Sequence, residues 1–195
     1  MLRYSTNCTN IFFKDKSVVD DYWSKFKDVR LGLSLDAGWE QLFYIRHGTR
    51  WDTVLGNLKY IVKGCPHAFL QFSPTISILN IFHVSKLHIF LADQKIIKLN
   101  DSYFNILTSP DFYSITALPL DLKEKVSAHW QQYKEIALQL GANDYLIKEI
   151  DKVIKYMYTT DQSHVISKFK TECDTKDMLR KESIKDLFPE LRSIL

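Results

Sequence analysis

Residues 29–35, VRLGLSL, form a nearly unbroken apolar run that stops on Asp36 and gives way at once to helical spacing. That alternation is what most limits the fold, because the first hundred residues keep repeating it. Val18, Tyr22 and Phe26 recur every four residues, so residues 17–26 read as a helix. Residues 39–46 read as a short helix. Residues 51–62 read as a longer one, with Leu55, Leu58, Ile61 and Val62 on one side and Thr49 as its cap. Residues 68–78, AFLQFSPTISI, read as a strand interrupted by Pro74, and residues 84–92 as another helix. Strands separated by helices pair in parallel through right-handed crossovers. In such sheets and barrels, ligands sit where the strands stop. The residues at those stops are Thr6-Asn7, Ser34-Leu35-Asp36 and Ser73-Pro74-Thr75-Ile76-Ser77, which suit a ligand with hydroxyl and amine groups. The same residue types also end strands and cap helices with no ligand present.

Farther on the texture changes. Residues 103–108 and 113–118 read as extended. Leu122, Val126, Trp130, Tyr133, Ala137 and Leu140 then step by four and three, an amphipathic helix that Gly141 stops. Leu146, Ile150, Val153, Ile154 and Met157 mark a second helix. Residues 164–169 and 176–180 read as two short ones. Leu187, Phe188 and Leu191 give the tail an apolar end.

Charge and cysteine content narrow the chemistry. Residues 1–100 carry 13 basic and 8 acidic side chains, and residues 101–195 carry 13 and 15. The net charge of +3 is too small to argue for nucleic acid by itself, and a nucleic-acid partner is not expected. Arg46, Arg50, Trp51, Lys59 and Tyr60 compose either an RNA-binding strip or an amphipathic surface with Trp51 tucked inward. No apolar run reaches the roughly 18–20 residues that span a membrane. Cys8, Cys65 and Cys173 lie 57 and 108 residues apart, an odd and scattered set that fits a reduced, cytoplasmic protein and no local metal motif. His83 and His88 are five apart and share no helix face well, which argues against a metal pair.

An ordered set of segments resembles the radical S-adenosylmethionine (SAM) superfamily, in the branch with a reduced "twitch" auxiliary region. It runs through Tyr4-Ser5-Thr6-Asn7, Leu33-Ser34-Leu35-Asp36, Tyr44-Ile45-Arg46-His47-Gly48-Thr49-Arg50-Trp51 and Asn57-Leu58. It continues through Ser73-Pro74-Thr75-Ile76-Ser77-Ile78-Leu79-Asn80, Asn105-Ile106-Leu107-Thr108-Ser109-Pro110, Leu179-Arg180-Lys181-Glu182-Ser183 and Asp186-Leu187-Phe188-Pro189-Glu190-Leu191. The resemblance implies an α/β fold. Residues 1–119 would be part of a partial (β/α) barrel, with about four parallel strands and flanking helices, and residues 120–195 a helical, twitch-like region. Ser34 resembles the family serine that bonds the SAM ribose. Arg46, twelve residues on, matches the arginine placed on the SAM carboxylate, and Thr6, Asn7 and Asp36 resemble pocket liners. Chemically the match is sound: a hydroxyl both donates and accepts, and a guanidinium grips a carboxylate with two parallel bonds. Asp36 as a helix cap and Arg46 on a solvated face are the plain alternatives.

The family's cofactors are SAM and a 4Fe-4S cluster held by a CxxxCxxC loop after the first strand, and a Gly-Gly-Glu motif follows the second. This sequence has neither motif. The resemblance therefore implies a chain that starts at the third strand and assigns it no catalytic or metal-binding residue. It implies a partner too, a separately encoded or missing N-terminal half-barrel. Alone, the chain is expected not to be catalytic. The rival expectation is a non-catalytic half-barrel that binds a ligand or another protein. In either case the first strand exposes an edge, and residues 2–7 are expected to pair across it or to lower solubility.

Overall fold

The computed structural model describes all 195 residues. Its frame is a mixed α/β arrangement around parallel strands. Strand β1 (Leu2–Thr6) leads into a small hairpin of β2 (Phe12–Phe13) and β3 (Lys16–Ser17), whose turn residues Lys14 and Asp15 both take positive φ. A π-helical turn (Val18–Tyr22) and a 3-10 turn (Trp23–Lys25) then return the chain to β4 (Val29–Leu33). Residues 17–26 are therefore not the α-helix that their spacing suggests. Ser24 Oγ donates to the Asp20 carbonyl at 2.6 Å, a back-bond that competes with regular helix, and Tyr22 sits at φ −123°, outside helical space. Val19 is pinned instead by a tertiary contact. An added Cβ at Gly64 would stand 2.8 Å from Val19 Cγ1.

After β4 come α1 (Trp39–Ile45) and α2 (Trp51–Gly64). Arg50, not Thr49, occupies the cap position of α2, and no side chain bonds its N-terminus. Strands β5 (Phe69–Phe72) and β6 (Thr75–Ile76) flank Pro74, as the sequence indicates. Next are α3 (Val84–Asp93) and β7 (Asn105–Ile106). Residues 113–118, read as extended, form 3-10 turns at Asp111–Tyr113 and Ile115–Ala117 instead.

The parallel order is β1-β4-β5, with Ser5 level with Gly32 and Gly32 level with Gln71. A parallel bridge between Phe72 and Ser102, and the pairing of β6 with β7, carry the order to a fourth extended segment. Spatial neighbours thus follow chain order. One face of this sheet is apolar and buried: Val29, Leu31, Leu33, Phe72, Ile76 and Phe104. The opposite face alternates with it, as strand geometry requires, and carries Ser5, Arg30, Gly32, Ser34, Gln71 and Ser73, all exposed or half-buried. Parallel sheets are ordinarily covered on both sides, so this bare polar face is unusual.

The helical half packs α4 (Leu120–Gln139) against α3 and α5 (Asp144–Met157). Gly141, at φ +89°, ends α4 as its position predicts. The two short helices expected near the end are one helix, α6 (Ile166–Arg180), followed by α7 (Ile184–Leu187) and a 3-10 segment (Pro189–Ile194). One continuous cluster of 46 buried hydrophobic residues, from Cys8 to Leu191, joins both halves. No helix is long and apolar enough to cross a membrane.

Candidate functional site

The carboxyl ends of β4 and β5 bring three chemistry-bearing residues together. Ser34 and Asp36 alternate on the bare side of the chain leaving β4, and Arg46 returns to them from the end of α1. Arg46 Nε and Nη2 both donate to Asp36 Oδ2, at 3.1 and 2.7 Å, and Nη2 also donates to Ser34 Oγ at 3.2 Å. The other carboxylate oxygen, Asp36 Oδ1, accepts the Thr75 N–H at 2.9 Å. Asp36 is therefore a brace between β4, α1 and β6, not a helix cap. Its side chain is 14% exposed and that of Arg46 29%, so the pair sits at a rim, partly screened by water.

What is left free decides what the rim can bind. Ser34 accepts from Arg46, so its own O–H remains available as a donor. Arg46 keeps Nη1 unused. Both favour an electron-rich group, such as a carboxylate or a ribose oxygen. Beside them lies a shallow strip of small residues. A Cβ at Gly32 would meet Ser5 Oγ at 3.3 Å and Ser73 Oγ at 3.9 Å, so only glycine leaves this strip open. Asn105, half-buried on β7, borders this rim beside β6. Asn80, fully buried, accepts the Ser77 N–H at 2.7 Å and donates to the Thr75 carbonyl at 2.8 Å.

Thr6 and Asn7 lie at the neighbouring strand end, where the Thr6 carbonyl accepts the Ser34 N–H at 2.8 Å. Their side chains are occupied locally. Thr6 Oγ1 accepts the Cys8 N–H at 3.0 Å, and Asn7 Oδ1 accepts the Thr9 N–H and hydroxyl at 3.1 and 2.8 Å. Trp51 is only 9% exposed and packs against Trp39 and Phe90, so it is tucked inward, as the amphipathic-surface alternative has it.

Two other polar groupings were not visible in the sequence. His88, Ser102 and Tyr133 meet in the core, with Ser102 Oγ 2.6 Å from His88 Nε2 and the Tyr133 hydroxyl on Nδ1. Burial lowers the His88 pKa to about 4, so the ring is neutral. One proton assignment satisfies the chain: Tyr133 donates to Nδ1, Nε2–H donates to Ser102, and Ser102 donates to the Leu99 carbonyl at 3.3 Å. Ser102 has no exposed surface, so no substrate reaches it, and the group is a core network. A cavity of about 720 Å³ opens at the opposite end of the sheet, beside Cys65, Leu70, Ile96 and Lys98. There Cys65 Sγ lies 3.7 Å from His67 Nε2, but that nitrogen also bonds the Phe26 carbonyl at 2.8 Å, and burial raises the thiol pKa. The pair is not an activated nucleophile.

The three thiols do not fit an iron–sulfur cluster. Cys8, Cys65 and Cys173 are buried on separate elements, and burial pushes Cys8 and Cys173 up to about 12. Cluster irons need three thiolates converging on one point, and no group of three metal-ligating side chains meets in this fold. No family model, curated protein or solved structure matches the chain.

Proposed function

We propose that this chain is the SAM-binding portion of a radical SAM enzyme, folded as strands three to six of a partial barrel. The observation that carries the reading is the meeting of Ser34, Asp36, Arg46 and Thr75 at the carboxyl ends of neighbouring parallel strands. In this reading the Ser34 hydroxyl donates to a ribose oxygen. Arg46 Nη1 takes the carboxylate while Asp36 keeps the guanidinium in place. The Gly32 strip leaves room for the rest of the ligand. SAM supplies a 5′-deoxyadenosyl radical when a cluster reduces it. The cluster would be held by a CxxxCxxC loop that these 195 residues do not carry, on a separately encoded or missing half-barrel, and the residues here contribute binding and orientation.

Calorimetry with SAM tests the reading. Binding is expected to weaken about fivefold in Ser34→Ala, since a neutral hydrogen bond is worth about 0.5–1.5 kcal/mol, and more than about tenfold in Arg46→Ala, since a charge-assisted one is worth about 1.5–3 kcal/mol. Absence of binding, or binding indifferent to both changes, removes it. A second reading, a binding module with no radical chemistry, is favoured by the burial of all three thiols. Co-expression with a chain bearing the cluster loop separates the two, because only an enzyme subunit would then show SAM cleavage.

A further inference from the structure

Strand β1 ends the sheet with no neighbour on its outer side. The Leu2 N–H donates to the Asp28 carbonyl, and the Thr6 carbonyl accepts from Ser34, both inward toward β4. Main-chain groups alternate along a strand, so those of Arg3 and Ser5 point to the open edge. The side chains of Arg3, Tyr4 and Ser5 are exposed as well. Tyr4 keeps 51% of its surface in water even with the Trp23 ring 5.7 Å away. Exposed Phe12, Phe13, Tyr22 and Phe26 follow close behind in the chain. Proline and bulges commonly protect such an edge, and β1 has neither; Arg3 is its one charge.

We propose that the β1 edge pairs with β1 of a second copy of this chain, antiparallel, about a two-fold axis through Tyr4. Charge and hydrogen bonding select the register. With the axis at Tyr4, Arg3 of each copy stands opposite Ser5 of the other. These are the edge-facing residues, so every free N–H meets a free carbonyl. Tyr4 meets Tyr4 at a position between the hydrogen-bonded pairs, where side chains approach closely and aromatic pairs stabilise a sheet. An axis at Arg3 would set two guanidiniums against each other. An axis at Ser5 would pair Arg3 with Asn7, whose side chain is already engaged by Thr9. The two bare polar faces then lie on one side of a single continuous sheet. In the reading proposed above the second strand of the half-barrel would pair along this same edge, so the two-fold dimer is the state of the chain when that strand is not present.

Sedimentation over a concentration series tests it. The wild type is expected at twice its 22.9 kDa chain mass. Ser5→Pro removes an edge-facing N–H that the β1–β4 ladder does not use, and is expected to be monomeric; Ser5→Ala is expected to remain dimeric. Because the native cysteines are buried, Tyr4→Cys adds the one accessible thiol and is expected to form a disulfide-linked dimer on mild oxidation. Arg3→Cys should link about tenfold less, since the two-residue offset takes the Cα atoms beyond about 7 Å. A monomer at every concentration overturns the proposal. So does a dimer that survives Ser5→Pro with Tyr4→Cys unlinked. If Ser5→Pro fails to fold, the ratio of Tyr4→Cys to Arg3→Cys linkage decides.

Discussion

Asp36 holds Arg46 through a single carboxylate oxygen, Oδ2, which accepts from both Nε and Nη2. The other oxygen is committed to the Thr75 N–H. Asp36→Ala therefore frees a cation and a half-buried main-chain donor together. It is expected to cost about 2–3 kcal/mol in urea unfolding, the range for charge-assisted hydrogen bonds. Ser34→Ala loses one accepted bond and is expected to cost about 0.5–1 kcal/mol. The difference lets ligand effects at Ser34 be read without a folding defect.

His88 makes stability depend on pH. Its folded pKa is about 4 against the ordinary 6.5, because burial disfavours the charged ring. Between those values the unfolded chain binds the proton and the folded one does not, so stability falls as pH drops from about 6.5 to 4. At 1.36 kcal/mol per unit, the loss reaches about 3 kcal/mol. His129, also lowered by burial and by nearby His83, acts in the same sense. Asp101, raised by burial, opposes them near the acid end. Chemical denaturation at stepped pH checks this, and His88→Gln is expected to flatten the slope.

Phe188 has no exposed surface and packs edge-on against Tyr44 and His83, at 5.5 and 5.4 Å. Phe188→Ala is expected to cost about 3–5 kcal/mol and to open the tail to limited proteolysis. The His83–Glu190 contact beside it, 2.6 Å long and partly exposed, is worth far less, and Glu190→Gln is expected to cost under about 1 kcal/mol.

The thiols give a direct readout of packing. Cys8, Cys65 and Cys173 are buried, and none is expected to react with an aromatic disulfide reagent in the native state, whereas all should react in denaturant. Rapid labelling of Cys65 alone would mean that the neighbouring cavity opens in solution.

Regular elements with strong patterning were legible in the sequence. The four-and-three steps from Leu122 to Leu140 mark α4 because every one of those residues through Ala137 faces the core. The apolar run at residues 29–35 marks β4 for the same reason. Spacing misled at residues 17–26, where a tight tertiary contact at Val19 overrides a four-residue rhythm. It also split α6, whose buried residues Phe169 and Cys173 are surrounded by charged and polar positions that show no face. Ser34 and Arg46 were each singled out by their likeness to family positions, and the bond between them shows only in the fold. The bridge from Asp36 to Thr75 was not legible, and neither was the meeting of His88, Ser102 and Tyr133. Those residues are brought together by the fold, and no local pattern records it.

Gly64 extends this reasoning to what the chain tolerates. The carbon of an alanine there would overlap Val19 and crowd Asp20 Oδ1, 3.1 Å away, so the first crossover would have to lift from α2. Saturation mutagenesis at this position should return glycine alone among stable clones. The irregular loop that looks most dispensable in outline is thus the one with the least freedom to drift.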